Sequence, residues 1–233
     1  MDTLIINRVN AAGWGQTIGN AAVTGIVPSA GEIAFPDNYS GNSADAYFFT
    51  DLDTGLDTGG IYRIASAAAP LASTVKVLNL GTGDTPVGID VNSLDCSGNT
   101  IMAGLARYAR VFVSDDLGLH WSQSTKPPSG QTATCVIIAP DFANQHKAYA
   151  VTSGAESAFS SSSDGGKTWD QTGLIDTSVD AITDINAPTQ TTAFVLTFNT
   201  VNMIKSLWRT LDGGASWERI FCGSYTGVTD YPW

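Results

Sequence analysis

The sequence has few charged residues, and basic residues are the scarcest of them. Charged residues make up 14% of the 233 positions, and 11 Lys and Arg stand against 22 Asp and Glu, which gives a formal net charge of −11. A surface of that sign repels a phosphate backbone, so we expect no nucleic acid partner. Hydrophobic residues make up 43% of the chain, enough to bury a sizeable core, which indicates a globular domain rather than a disordered or fibrous chain.

Long apolar runs and cysteines are also scarce. No run approaches the roughly 20 residues that a membrane-spanning helix needs, so we expect no transmembrane segment. No signal peptide is visible, because the first residues lack a charged segment followed by a long apolar stretch; either the protein is cytoplasmic or a leader lies outside the chain. Cys96, Cys135 and Cys222 allow at most one internal disulfide and do not fix the redox compartment.

The polar character of the chain comes from hydroxyl, amide and aspartate side chains. Lys and Glu number only five and three. Because this composition is more familiar outside cells than inside them, we expect an extracellular or cell-surface location.

The main signal is an internal repeat. The frame [S/T]-x-D-x-G-x-x-W occurs three times, and its aspartates stand at the equally spaced positions 116, 164 and 212, a period of 48. We call the three segments box 1 (114–121), box 2 (162–169) and box 3 (210–217). Their defining residues are Ser114, Asp116, Gly118 and Trp121; Ser162, Asp164, Gly166 and Trp169; and Thr210, Asp212, Gly214 and Trp217.

Four short strands are expected in each repeat. The short apolar runs "AYFFT", "TIMAGL", "AYAVT" and "AFVLT" each follow a segment that resembles its equivalents in the other repeats. Further strands are expected directly before and directly after each box. We therefore divide the single domain, 1–233, into a partial repeat, four whole repeats and the first strand of a further one. The limits are 1–30; 31–84, 85–132, 133–180 and 181–227; and 228–233.

The residue types of the box suit a tight hairpin. A short Asp or Ser side chain accepts hydrogen bonds from backbone N–H groups that the turn leaves without partners. Gly166 and its equivalents tolerate positive φ, and the Trp can lay its ring on a neighbouring sheet while its N–H finds an acceptor. Because one four-stranded sheet cannot bury both faces alone, successive sheets are expected to stack around an axis as a β-propeller.

The boxes resemble the Asp-box, or BNR, repeats of the sialidase-like propellers. Similar boxes occur in xyloglucan-degrading glycosidases, sortilin-type receptors, photosystem assembly propellers and bacterial surface proteins. The resemblance implies an all-β propeller of four-stranded blades, either closed with five blades or an arc of a larger propeller. It also implies that the box residues are structural, because the family's boxes lie on hairpins away from the sialidase active site.

An acidic segment is the candidate metal site. In "TDLDTGLDTGG", Asp51, Asp53 and Asp57 alternate with other residues and could turn carboxylate oxygens towards one calcium ion. The match to a calcium loop is partial, since Gly55 stands at the third ligand position. The alternative is a solvated acidic turn, and no other cofactor is expected.

Ligand-binding candidates lie on the loops between the second and third strands of the repeats. Arg107, Tyr108 and Arg110 share one such loop, and Glu156 lies on the next, so they could form a small polar pocket. The alternative is a solvated rim. No catalytic residue is assigned, because no pair of carboxylates stands out by its spacing.

These features favour a non-catalytic extracellular module for recognition or assembly. Its partner would be a protein or a glycan. We expect the module to be part of a cell-surface or surface-layer protein, and to assemble with a further chain or with copies of itself. The alternative is a glycoside hydrolase of the sialidase-like or xyloglucanase-like type, or a fragment of one.

Overall fold

The computed structural model describes residues 28–36, 46–52, 60–64, 74–76, 91–154, 156–174 and 181–224. In these ranges the secondary structure is almost entirely β, and the strands form four four-stranded sheets. Each sheet is an antiparallel meander in which sequence neighbours pair, as in a propeller blade. The predicted all-β fold with four-stranded blades is therefore confirmed.

Each sheet takes its four strands from one consecutive stretch of the chain. Sheet 1 contains β1 (Pro28–Ala34), β2 (Ala46–Leu52), β3 (Gly60–Ile64) and β4 (Thr74–Lys76). Sheet 2 contains β5 (Val91–Ser97), β6 (Thr100–Leu105), β7 (Val111–Ser114) and β8 (Ser122–Gln123). Sheet 3 contains β9 (Thr134–Ile138), β10 (Ala148–Thr152), β11 (Ala158–Ser162) and β12 (Asp170–Leu174). Sheet 4 contains β13 (Ala181–Asn186), β14 (Ala193–Asn199), β15 (Ile204–Thr210) and β16 (Glu218–Ser224).

The chain divides into two compact units. One contains Met1–Ile101 and Ser114–Ser122, and the other contains Met102–Val113 and Gln123–Trp233. In the first unit β1 and β2 pack against β5. The second unit holds sheets 3 and 4 and the clusters described next.

Strand β10 is an inner strand of sheet 3, and all five of its residues are buried. Because side chains alternate along a strand, its two faces belong to different clusters. Ala148 and Ala150 join Trp169 in one cluster with Met102, Val111, Val113, Val136, Ile138 and Phe142. Val151, on the other face, packs with residues of sheet 4.

The cluster between sheets 3 and 4 is built from one side of each. Val151 and Phe159 of sheet 3 meet Val195 of sheet 4. Trp208 and Trp217 pack against them, together with Ile182 and Ile185 of β13. Sheet 3 is thus covered by the repeat that follows it in sequence, which explains why its face is apolar at this position.

Three smaller observations complete the fold. A single-turn helix, α1 (Phe142–Gln145), lies in the connection between β9 and β10. Cys96, Cys135 and Cys222 are not joined in a disulfide; the first two are buried and the third is exposed. In the part of the chain that the structure describes, none of the helices has the length and apolar character to cross a membrane.

Candidate functional site

Box 2 is a turn closed by its own side chains. Ser162 Oγ donates to Asp164 Oδ1 at 2.8 Å and accepts from the Gly166 N–H at 2.9 Å. Asp164 also accepts from the Thr168 N–H at 2.9 Å and from the Thr168 hydroxyl at 2.6 Å. The carboxylate thus replaces the ladder partners that the backbone loses in the turn.

Box 3 repeats this network with equivalent atoms. Thr210 Oγ1 donates to Asp212 at 2.8 Å and accepts from the Gly214 N–H at 2.9 Å. The Ser216 N–H and hydroxyl both donate to Asp212, at 2.9 and 2.5 Å. Two boxes therefore share one hydrogen-bond pattern, atom for atom.

Box 1 has the same hydrogen-bond pattern, except that an imidazole replaces a hydroxyl group. The Ser114 hydroxyl donates to Asp116 at 2.9 Å, and the His120 N–H donates to the same carboxylate at 2.8 Å. Where the other boxes use a hydroxyl, His120 places Nδ1 2.5 Å from Asp116 Oδ2. The imidazole thus takes the position of the Thr or Ser hydroxyl.

The hydrogen bonds hold the box carboxylates in the ionised form. Bonds from the His120 backbone and then from its side chain lower the pKa of Asp116 to about 2. Bonds from the Ser216 side chain and backbone lower the pKa of Asp212 to about 2. Burial opposes the shift at Asp164, yet bonds from the Thr168 side chain and backbone keep its pKa below the usual value. Groups ionised this strongly are poorly suited to general acid catalysis near neutral pH, which needs a pKa near the working pH.

The glycine of the box is required by both backbone and space. Gly166 has φ 84°, a left-handed conformation that L side chains rarely adopt. A Cβ at this position would also lie 3.0 Å from both the Met102 and Val113 side chains. The turn therefore sits directly against the preceding repeat.

The box tryptophan joins consecutive repeats. Trp169 is 1% exposed, and its Nε1 donates to Ser124 Oγ and to the Gly166 carbonyl, both at 3.1 Å. The Ser124 hydroxyl lies 2.5 Å from the Gly166 carbonyl oxygen and 3.2 Å from that of Val111. The indole N–H therefore ends on a hydroxyl of the preceding repeat.

The same joint recurs one repeat later. Trp217 Nε1 donates to Thr172 Oγ1 at 3.4 Å, and that hydroxyl donates to the Phe159 carbonyl oxygen at 3.4 Å. Our sequence reasoning missed Ser124 and Thr172. Their separation by one full repeat and their shared hydroxyl chemistry were the signal that could have found them.

The loop between β6 and β7 presents an aromatic side chain beside a cation. Tyr108 is 53% exposed, and the Arg110 guanidinium carbon lies 5.1 Å from the centre of its ring. The Leu105 N–H donates to the Arg110 carbonyl at 3.2 Å, and the Thr134 hydroxyl donates to the Tyr108 carbonyl at 2.9 Å. These bonds hold the backbone of the loop, and the guanidinium lies within cation–π distance of the ring. We call residues 106–110 the platform loop.

The other ligand-binding candidates are placed as follows. Arg107 is exposed on the platform loop, next to Tyr108. Glu156 is exposed on the loop between β10 and β11, where Ser157 Oγ donates to the Gly154 carbonyl at 2.6 Å. The salt bridges of the described residues do not include Glu156. The structure therefore brings Tyr108 and Arg110 together but does not join Glu156 to them.

The candidate calcium segment is described only in part. The backbone of Asp51 belongs to β2 and pairs with Ala30 of β1. Asp53 and Asp57 lie outside the described residues. Within the described ranges, no three His, Cys, Asp or Glu side chains are close enough together to hold a metal ion. Calcium binding by this segment stays a prediction.

Comparison with known proteins gives similarity in fold. No family model and no curated protein sequence matches the chain. An ancestral GH74 enzyme of known structure aligns with a TM-score of 0.59 and 17% identity over 88% of this chain. The chain spans only 26% of that enzyme.

Two further solved structures align with most of the chain. A protein of unknown function from Dyadobacter fermentans has a TM-score of 0.52 and 11% identity, over 81% of this chain and 68% of its own. A candidate TolB protein from Agrobacterium tumefaciens has a TM-score of 0.51 and 10% identity, over 76% and 61%. Identities this low carry the fold alone, and the fold is that of a β-propeller built from four-stranded antiparallel sheets.

Proposed function

We propose that this protein is a non-catalytic module for recognition or assembly, which binds a protein or a glycan outside the cell. The observation that carries the proposal is the platform loop, where Tyr108 and Arg110 form an exposed cation–π pair. A flat ring with a polar edge offers contact area at low entropic cost, and a guanidinium supplies directional hydrogen bonds. Such pairs are typical of recognition surfaces.

The box geometry supports a non-catalytic role. Each box carboxylate accepts hydrogen bonds from a Ser or Thr hydroxyl and from a residue four positions later. The three turns are, in our proposal, Asp-boxes of the BNR type, with scaffolding carboxylates. The composition, poor in Lys and Glu, supports placement at a cell surface or in a surface layer.

A glycoside hydrolase is the second candidate. The observation in its favour is the similarity of the fold to the ancestral GH74 enzyme, of which the chain spans 26%. Fold similarity and activity separate readily in propellers, and the sequence offers no pair of carboxylates at a telling spacing. We therefore place this candidate second.

A binding assay with a built-in activity control separates the two candidates. The intact protein is run through native gels that contain xyloglucan, pectin or the protein gelatin, and the two polysaccharides are assayed for new reducing ends. We expect retardation by at least one of the three polymers without reducing ends, and loss of that retardation in Tyr108→Ala. Arg219→Gln is the matched control, because Arg219 also lies over an aromatic ring, that of Trp208 at 5.6 Å, but on β16.

Two kinds of result would contradict the proposed function. Reducing ends whose release is abolished by changing one carboxylate would establish the hydrolase. Migration unaffected by every polymer, or retardation that Tyr108→Ala leaves unchanged, would refute the role assigned to the platform loop.

A further inference from the structure

One face of sheet 4 exposes a continuous apolar stripe. Leu196, Leu207 and Phe221 are direct partners across three strands, and Phe194 lies on the same side of β14 as Leu196. Phe221 is 47% exposed, and the other three are only partly buried. We call these four residues the open stripe.

The equivalent positions of sheet 3 are covered. The first residues of boxes 2 and 3 pair with Ala148 and Ala193, so both sheets share one register, including a bulge at the same place. In that register the open stripe corresponds to Tyr149, Val151, Phe159 and Gly173, and the first three are at most 1% exposed. Trp217 covers them, with its ring stacked on Phe159 at 4.0 Å. A face of this register is thus a packing surface.

Two residues show that the open stripe differs from the surface of sheet 3 against which Trp217 packs. Ile220 stands one full repeat after Thr172, the hydroxyl that accepts the indole N–H. Phe221 stands one full repeat after Gly173, where an added Cβ would lie 3.4 Å from Trp217. Sheet 4 therefore lacks both the hydroxyl that would accept an indole N–H and the space for a box tryptophan ring. It has apolar side chains at these two positions instead.

The charges on this face of sheet 4 balance. By pairing and alternation, Asp184, Glu218, Lys205 and Arg209 lie on the same face as the open stripe. Arg209 and Glu218 form an ion pair with 2.8 Å between Nη2 and Oε2. Among the described residues of sheet 4, the two acids and two bases on this face cancel, although the whole chain has a net charge of −11. Two copies of the chain can therefore approach through this face without the repulsion that the rest of the surface would cause.

We infer that the open stripe binds the open stripe of a second copy of this chain, as an isologous dimer contact. The packing between sheets 3 and 4 joins two different faces, whereas this contact joins two identical faces of sheet 4. This inference specifies the partner for the assembly role in the proposed function, and it rests on that role alone. Ligand binding by the platform loop does not depend on it.

The dimensions of sheet 4 predict a weak dimer. Its last three strands have seven residues each, and a face of four such strands measures roughly 23 Å by 19 Å from standard strand spacings. This is about half the area per partner of a standard protein interface. We expect dissociation at micromolar concentration or weaker.

Sedimentation velocity over a concentration series tests the inference. The intact wild-type chain is compared with Phe221→Ser and with the control Leu211→Ser, which changes a leucine that is 59% exposed in box 3. We expect a monomer–dimer equilibrium that Phe221→Ser weakens about tenfold or more and Leu211→Ser leaves unchanged. Circular dichroism of each variant confirms that the fold is kept.

A second variant restores the residue types of sheet 3. Ile220→Thr with Phe221→Gly places the Thr172 and Gly173 residue types on sheet 4, and it should weaken the dimer at least as much as Phe221→Ser. A wild-type chain that stays monomeric across the series would overturn the inference. So would equal dissociation constants for Phe221→Ser and Leu211→Ser. Either result leaves the retardation test of the platform loop standing.

Discussion

Replacing Trp169 with alanine is the sharpest test of how the repeats are joined. The indole is 1% exposed and packs with residues of two consecutive repeats, among them Met102, Val113 and Ala148. Truncating a fully buried Trp to Ala costs about 3–5 kcal/mol, because transfer free energy is lost and a cavity remains. The Ser124 hydroxyl also loses the indole donor that lies 3.1 Å away.

The free energy of unfolding is measured by urea titration, followed by far-ultraviolet circular dichroism. Trp121→Ala is the matched control, because Trp121 holds the same position in box 1 but is only partly buried, with its N–H on the Gly118 carbonyl at 3.0 Å. We expect the control to cost well under half as much as Trp169→Ala. A loss below about 1 kcal/mol for Trp169→Ala, or equal losses for both variants, would refute the proposed joint.

Three further predictions concern pH, backbone and metal. The pKa values of Asp116 and Asp212 are lowered to about 2 from 3.8. Their contribution to stability is therefore complete above about pH 4 and is lost as pH falls to about 2. Asp212→Asn should flatten the dependence of melting temperature on pH in that window, and an unchanged profile would contradict this prediction. Gly130→Ala should lower the melting temperature by several degrees, since φ is 133° and a Cβ would lie 2.0 Å from Thr152 Oγ1; a neutral effect would show that the 130–152 contact is absent. Calcium should raise the melting temperature and chelator should lower it if residues 51–57 bind the ion, and no shift in either direction rules the site out.

The architecture could be predicted because it is periodic. A regular repeat with Asp, Gly and Trp at fixed offsets specifies a turn, and short apolar runs at the same period specify strands. The runs "TIMAGL", "AYAVT" and "AFVLT" are indeed β6, β10 and the start of β14. Each local signal was therefore sufficient without knowledge of the three-dimensional contacts.

The contacts between repeats could not be predicted in this way. The spacing of Ser124 and Thr172 marks them as equivalent positions, but only the register of two sheets brings the Ser124 hydroxyl to Trp169. The exposure of Phe221 likewise depends on whether a further sheet covers it, which no local pattern encodes. The loop that brings Arg110 over the Tyr108 ring is also held by a distant residue, because the Thr134 hydroxyl, 26 positions along the chain, donates to the Tyr108 carbonyl.

We propose that the boxes are scaffolding and that recognition belongs to the platform loop. The most direct measurement is the retardation of Asp164→Asn and Tyr108→Ala in the native gel that retards the wild type, run below the melting temperature of each variant. Our account predicts that Asp164→Asn melts at a lower temperature yet is retarded as the wild type is, whereas Tyr108→Ala melts normally and migrates freely. Loss of retardation in a folded Asp164→Asn variant, together with normal retardation of Tyr108→Ala, would contradict the account.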